Sequence, residues 1–501
     1  MPRFLVVLGV VVALAAGACA VWPERWAFNA PVANALFGWE ENPPAAGVVQ
    51  KRIQVPEGFS ISLYARGLSR ARALRFTPSG DLLVSQPRLG RVTLLARDED
   101  ENGEPDGRRT LLSGLNRPYG VDFREGWLYV AETDAVGRIR YDADARSVSG
   151  EFERLVTGLP RGGNHWTRSL RFGPDGWMYV SIGSSCNVCE EQEERRASLM
   201  RFRPDGSDGE IYATGLRNTV GFDWRPETGE LFGTDNGRDM LGDDFPPCEL
   251  NRIEQGGFYG WPYANGAKVP DPDVGEGHSE RIATSIGPAH AFGAHTAPLG
   301  LTFLRGSHWP VGYRGAGLAA LHGSWNRTRK SGYKVVSLHF GERGTVTERD
   351  FVWGFEEDEN VIGRPVDVAE GPDGAIYISD DFTGSIYRVI HGDGAAGRLP
   401  TELASGLPAA TNPFTGMDEK EREQRADRGR ALYEHYFCAQ CHEGIRAKEG
   451  VIVVPLAGLS ARYGVADMER FIHTPTPPMP ALELSDEERR DMSVWLLSTY
   501  P

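Results

Sequence analysis

The chain has 501 residues, with 54 Lys and Arg against 69 Asp and Glu, a formal charge of −15. Phosphate backbones are held by dense basic stripes, so this balance excludes a nucleic-acid-binding protein. Hydrophobic residues at 40% and aromatics at 10% exclude disorder for most of the length. At roughly 100 to 200 residues per domain, two to four units are expected. The 61 glycines and 33 prolines make up close to a fifth of the chain, an excess that predicts many tight turns and short strands.

In chain order, the first feature is the uncharged run from Phe4 to Trp22, preceded by Arg3 and followed by Pro23 and Glu24. Such a run is long enough to cross a bilayer as a helix. It also reads as a signal peptide, with Ala16-Gly17-Ala18 as an A-x-A cleavage site. A third reading makes Cys19 a lipidated acceptor. All three readings of residues 1–22 place the chain beyond the short linker 23–49 in the periplasm, at or near the inner membrane.

Between residues 50 and 392 a unit recurs: an apolar alternating strand, a turn centred on Gly, and a second strand. It reads Leu74-Arg75-Phe76, Gly80-Asp81 and Leu82-Leu83-Val84, then Val121-Asp122-Phe123 with Gly126 and Trp127-Leu128-Tyr129-Val130. Leu170-Arg171-Phe172 with Pro174-Asp175-Gly176 comes next, then copies at Val220-Gly221-Phe222 and at Val366-Asp367-Val368 with Pro372-Asp373-Gly374. A degenerate copy runs from Leu299 through Leu318 to Val336. Six such units predict an all-β six-bladed propeller, because a single blade cannot bury both of its faces. Loops from all blades then gather round one opening, so their polar clusters are the site candidates. These are Asn164-His165-Trp166-Thr167, Gly215-Leu216-Arg217-Asn218, Asp235-Asn236-Gly237-Arg238-Asp239, Gly323-Ser324-Trp325-Asn326-Arg327 and Gly363-Arg364.

Among the six cysteines, Cys186 and Cys189 have the spacing of a local disulfide or of two metal ligands, and a disulfide is the expectation, since no second pair completes a zinc tetrad. Cys248 is left over, either as a buried thiol or as a replacement partner for that pair.

The segments Leu159-Pro160 to Asn164-His165, Phe172-Gly173-Pro174-Asp175-Gly176, Gly215-Leu216-Arg217-Asn218 and Gly256-Gly257-Phe258-Tyr259-Gly260-Trp261-Pro262 carry a family resemblance. Residues 50–392 resemble the pyrroloquinoline quinone (PQQ) dependent sugar dehydrogenases of the soluble glucose and sorbosone dehydrogenase type. The resemblance implies PQQ and Ca²⁺ as cofactors and a sugar, polyol or sugar aldehyde as substrate. It makes His165 the general base, Arg217 a cation over the quinone oxygens, and Asn218 a hydrogen-bond partner of the cofactor. It makes the backbone carbonyls of Gly237 and Arg238 the Ca²⁺ ligands, and Arg327 and Arg364 partners of cofactor carboxylates. Three positions depart from the family: Ser184 stands for the acid that orients the histidine, Val366 for a second cofactor arginine, and Cys248 for an acidic residue.

Residues 393–425 read as a linker. Beyond it, a helical pattern from Ala426 to Phe437 leads into Cys438-Ala439-Gln440-Cys441-His442, the C-x-x-C-H signature of covalent haem c attachment, with His442 as an iron ligand. Met479, in Pro477-Pro478-Met479-Pro480, is the expected sixth ligand over His473, while Met468 and Met492 sit in helical patterns as core residues. A capping box at Ser485 to Glu488 opens a last helix. Residues 426–501 resemble a small class I cytochrome c domain.

The combined expectation is a periplasmic quinohaemoprotein that oxidises a sugar at PQQ and passes electrons through haem to a respiratory quinone or cytochrome. The rival expectations are a Ca²⁺-dependent propeller hydrolase of the lactonase kind and a non-enzymatic binding module.

Overall fold

The computed structural model describes Asn29 and residues 41–341, 344–392, 414, 416–442, 456, 459–460, 464–473, 482 and 484–500. Phe4 to Trp22, Cys19 and Met479 lie outside the described residues. The chain separates into two units, Met1–Leu399 and Pro400–Pro501.

Among the described residues, the first unit contains six four-stranded antiparallel sheets, as the repeat predicts. Blades 1 to 5 begin with the inner strands Leu74–Phe76, Val121–Arg124, Leu170–Phe172, Thr219–Trp224 and Pro298–Phe303, and each runs outward. A small hairpin, Ala264–Asn265 with Val269–Pro270, is inserted ahead of the outer strand of blade 4. Blade 6 takes Pro365–Glu370, Ile376–Asp380 and Ser385–His391 from the end of the repeat and Phe59–Ala65 from its beginning. Phe59 pairs with His391, Ile61 with Val389 and Leu63 with Tyr387, which closes the ring.

The second strands differ from the expected alternation. Leu82–Gln86, Met178–Ile182, Leu231–Asp235, Gly317–Leu321 and Ile376–Asp380 are buried at every position. Neighbouring blades cover both faces of such a strand, so its burial loses period two and even its polar residues, such as Ser85, Thr234 and Ser379, are buried. The Pro-Asp-Gly turns are built alike. In blade 3, Asp175 accepts from the Tyr179 hydroxyl at 2.8 Å, and in blade 6 Asp373 accepts from Tyr377 at 2.8 Å.

Adjacent blades are joined near the axis by buried carboxylates. Asp122 accepts from the Phe172 backbone N–H at 2.8 Å, Asp223 from Phe303 at 2.9 Å and Asp367 from Leu74 at 2.8 Å. Each ties one inner strand to the next, and Arg75 and Arg305 balance the charge on Asp122 and Asp223. Backbones also approach closely here: a Cβ on Gly221 would lie 2.1 Å from the Leu299 carbonyl oxygen.

In the second unit, the helix Glu419–His435 crosses Asp486–Thr499. Gly429 allows the contact, because a Cβ there would lie 2.1 Å from the Asp491 carbonyl oxygen. Arg425 and Arg428 converge on the buried Asp491 at 2.8 and 2.6 Å. Met468 and Met492 are buried in the unit's apolar cluster with Tyr433, Ile472 and Leu497, the core role their helical positions predict. The capping box at Ser485 and Glu488 forms as expected.

Gly221→Ala should destabilise the propeller by about 1–3 kcal/mol, because blade backbones must separate to admit a methyl group. Urea denaturation of the variant checks this, and an unchanged midpoint would show that the contact yields freely.

Candidate active site

An antiparallel meander sends alternate connections to opposite ends of the ring. The tight Pro-Asp-Gly turns link first to second strands at one end. Connections from second to third strands, and from one blade to the next, gather at the other. His165, Arg217 and Asn218 lie in loops between blades, and Gly237, Arg238 and Trp325 lie in loops between second and third strands. All six therefore belong to the same end. A cavity of about 230 Å³ there is lined by Asn164, His165, Arg217, Asn218, Gly237 and Cys248, among others.

His165 is held by the Ser184 loop. Its Nδ1 lies 2.9 Å from the Ser184 carbonyl oxygen and 2.9 Å from the Ser184 hydroxyl oxygen. The Ser184 hydroxyl donates onward to the Cys186 carbonyl at 2.8 Å, so both oxygens near Nδ1 act as acceptors. This places the proton on Nδ1 and leaves the Nε2 lone pair for a ligand. Burial, followed by the positive charge of Arg217, pushes the imidazole pKa down to about 3. Ser184 thus supplies the orientation of the absent carboxylate without its charge. Gly183 permits the approach, since a Cβ there would lie 2.6 Å from the His165 Cβ and 2.8 Å from the Asn218 Oδ1.

Arg217 is fixed by a residue that no sequence motif singles out. Its Nε donates to the Asn187 carbonyl at 2.9 Å and its Nη2 to the Asn187 Oδ1 at 2.8 Å, while Asp239 lies 3.2 Å from Nη2. Asn187 sits between Cys186 and Cys189, which form the expected disulfide. The short cross-linked loop therefore presents Asn187 to Arg217 and the Cys186 carbonyl to Ser184, joining the surroundings of both candidate residues. Beneath, the Asp235 carboxylate accepts from the backbone N–H groups of Arg217 at 2.9 Å and Asn218 at 2.6 Å. Burial raises the Asp235 pKa to about 6, although these bonds oppose the shift.

Gly237 lines the cavity, and the Arg238 side chain turns away to pair with Asp271 at 2.7 Å and Asp273 at 2.7 Å. Among the described residues, no hydrogen bond reaches the carbonyl oxygens of Gly237 or Arg238, which leaves them available as oxygen ligands. Cys248 is a free, buried thiol whose pKa burial pushes up, so it contributes no negative charge. Val366 belongs to the apolar floor at the axis with Ala73, Tyr119, Val220 and Leu299.

Two arginines behave differently from each other. Arg364 is buried and donates to the carbonyls of His322 at 3.1 Å and Gly323 at 2.9 Å. It lines an adjoining cavity of about 270 Å³ that shares Arg72, Trp166 and His322 with the first. Arg327 corrects the sequence expectation: it points to Asp244 at 3.2 Å and to the Asp243 carbonyl, and lines neither cavity. Arg72, from the loop entering blade 1, does line both cavities and pairs with Asp381 at 3.3 Å. His322 also contacts Asp381 at 2.8 Å, and burial, then Arg364, pushes its pKa down to about 4. Neither Arg72 nor His322 stands in a motif, and only ring closure brings blades 1, 5 and 6 together.

In the second unit, Cys438 is half-buried and His442 ends the one-turn helix Ala439–His442. The His442 N–H donates to the Cys438 carbonyl at 3.1 Å, which holds the ends of the motif on one turn. His473 is exposed at the end of Val465–His473.

The family model described as TrAA12-like matches residues 53–247 and 278–392. The chain belongs to this family. An uncharacterized protein of Borreliella burgdorferi is 30% identical over 364 residues, covering 69% of this chain and 93% of that protein. A pyrroloquinoline quinone-dependent sugar dehydrogenase of Hypocrea jecorina is 25% identical over 398 residues, covering 66% of this chain and 87% of its own. The solved structure of the Trichoderma reesei Carbohydrate-Active Enzymes Family AA12 protein with iodide superposes with a TM-score of 0.60 at 22% identity, over 70% of this chain and all of that one. That likeness establishes the six-bladed fold.

Folded His165 takes up a proton only near pH 3, whereas an unfolded histidine does so near pH 6.5. The stability it contributes is therefore complete above pH 6.5 and is lost as the pH falls towards 3. Imidazole NMR should show His165 neutral down to about pH 4; a midpoint near 6.5 would contradict the half-buried, cation-flanked environment.

Proposed function

We propose that the propeller is a PQQ- and Ca²⁺-dependent sugar dehydrogenase. The observation that carries this reading is a neutral imidazole, its Nδ1 turned to Ser184, on the wall of a cavity that Arg217 also lines, in a chain of the TrAA12-like family. PQQ, when bound, supplies a carbonyl carbon that accepts hydride from the sugar, and Ca²⁺ supplies polarisation of that carbonyl.

The chain's own residues fit this chemistry. Gly237 and Arg238 would hold Ca²⁺ through their carbonyl oxygens. Gly237 is needed there, as a Cβ would lie 2.6 Å from the Pro247 carbonyl oxygen. Asn218 and Arg217 would hold the quinone edge, and Arg72 and Arg364 its carboxylates. His165 Nε2 takes the proton of the reacting hydroxyl, and the Ser184 oxygens keep Nδ1–H directed away from the substrate. With no carboxylate behind the ring, the resulting imidazolium is stabilised by less than the family's usual pairing provides. A lactonase-type hydrolase requires acidic side chains converging on the metal; Gly237 and Cys248 offer none, and the Asp239 carboxylate is paired with Arg217.

We read the C-terminal unit as a haem c domain, with Cys438 and Cys441 as the thioether residues and His442 and Met479 as iron ligands. A fused haem gives the reduced cofactor a tethered one-electron acceptor at high effective concentration. Export by the N-terminal segment places both reactions in the periplasm, with a respiratory quinone or cytochrome as the final acceptor.

Purified full-length protein given PQQ, Ca²⁺ and a sugar panel should reduce an artificial dye, with each addition required. His165→Ala should retain PQQ binding and lose about 10²–10⁴-fold in turnover; undiminished turnover would remove the assigned base. Protein made in a host that attaches haem c should carry covalent haem, visible after denaturing electrophoresis. Cys438→Ala and Cys441→Ala together should abolish it, and absence of haem from the wild-type chain would refute the cytochrome reading.

A further inference from the structure

The loop between the second and third strands of blade 3, which follows Met178–Ile182, reaches three parts of the candidate site. The Ser184 N–H donates to the Arg217 carbonyl at 2.8 Å, and the N–H of Asn164, the neighbour of His165, donates to the Ser185 carbonyl at 2.9 Å. Glu191 closes the loop by accepting from the Ser185 N–H at 2.5 Å and from its hydroxyl at 2.8 Å. Inside this turn stands Asn187, enclosed by the cross-linked Cys186 and Cys189.

The carbonyl and the side-chain amide of Asn187 are both engaged. The carbonyl accepts from the Arg217 Nε at 2.9 Å and from the Trp261 indole N–H at 3.4 Å. Oδ1 accepts from the Arg217 Nη2 at 2.8 Å and from the Asp239 backbone N–H at 2.8 Å, while Nδ2 donates to the Asp239 carbonyl at 3.1 Å. Turned over, the amide would set its own N–H groups against two donors, so only one orientation works. Asn187 lines neither cavity and acts on the site only through what it holds. It holds the Arg217 guanidinium on one side and, on the other, the residue that follows Gly237 and Arg238. The place of the cross-link agrees with a local task. A disulfide constrains the unfolded chain most when it closes a long loop, and this one joins residues with a sequence separation of 3. What it fixes is the backbone on either side of Asn187.

We propose that Asn187 is a positioning residue that sets the Arg217 cation and the Gly237 and Arg238 carbonyls relative to each other, and that the Cys186–Cys189 disulfide locks it there, so that the cofactor site is assembled only in the oxidised chain. Forming the bond joins the two sulfurs and passes two electrons and two protons to a disulfide oxidant, which leaves as two thiols. An unlocked loop lets the guanidinium and the carbonyls drift apart, and small displacements of charge at a reacting centre are costly. For what Arg217 and Ca²⁺ do in turnover, the inference rests on the dehydrogenase reading.

The test uses Asn187→Ala, which removes the amide, and Cys186→Ser combined with Cys189→Ser, which removes the cross-link and keeps the amide. In the cofactor-free full-length protein, hydrogen exchange of the Arg217 Nε–H, assigned by its loss in Arg217→Lys, should be at least about tenfold faster in both variants than in the wild type. Ca²⁺ titrated by calorimetry should bind both about tenfold more weakly. With PQQ and Ca²⁺ added, kcat should fall about 10- to 100-fold while the sugar KM stays within about twofold. Exchange within about twofold of wild type in Asn187→Ala overturns the positioning role, and the same result in the double serine variant alone overturns the lock. An unchanged Ca²⁺ Kd in Asn187→Ala overturns the link to Gly237 and Arg238. A lower unfolding temperature with unchanged kcat would mark the loop as purely structural and overturn the proposal while keeping the dehydrogenase. Faster exchange in variants of a protein that oxidises no sugar would sink the dehydrogenase reading and keep the hold of Asn187 on Arg217.

Discussion

The candidate site depends on one seam, the antiparallel pairing of Phe59–Ala65 with Ser385–His391. Those strands come from opposite ends of the repeat, and their pairing converts an open row of blades into a ring. Closure brings the loop carrying Arg72 against those carrying Asp381, His322 and Arg364. The entropy of closing so long a segment grows only with the logarithm of its length, and the strand pairing offsets it together with the apolar cluster around Tyr387, Val389 and Ile61.

Inside the ring, charge is used sparingly and in pairs. Asp122, Asp223 and Asp367 satisfy backbone N–H groups of neighbouring inner strands, and Arg75 and Arg305 balance two of them. Such buried groups stabilise only when each partner is in place, which makes them devices for register more than sources of net stability. At the loop end the balance changes to a cationic cavity beside a neutral histidine. The net charge of the chain therefore says little about its site, because the acidic excess and the arginines of the cavity are in different places.

Much of the propeller was legible. Turn chemistry and blade length sufficed to count six units, even with the copy around Leu299 degraded, because the other blades repeat a Gly-centred reversal. The alternating pattern was misleading for the second strands, which are covered on both faces. The motifs around His165, Arg217, Asn218 and Gly237 were legible as polar clusters beside strands, and they do line one cavity. Arg327 was not correctly placed, since a loop arginine can turn either way and Asp243 and Asp244 draw it outward. Asn187, Arg72 and His322 escaped notice because each is an ordinary loop residue until another blade supplies its neighbour.

The sequence by itself determined the repeat, the local disulfide, the position of the C-x-x-C-H segment and which loops carry polar clusters. These are local properties, readable from spacing and turn chemistry. Only the tertiary structure decided the tautomer of His165, the grip of Asn187 on Arg217, the outward turn of Arg327, and the gathering of Arg72, His322 and Arg364 at one cavity. Each depends on atoms brought together across blades, and no separation along the chain encodes which side chains meet once the ring is closed.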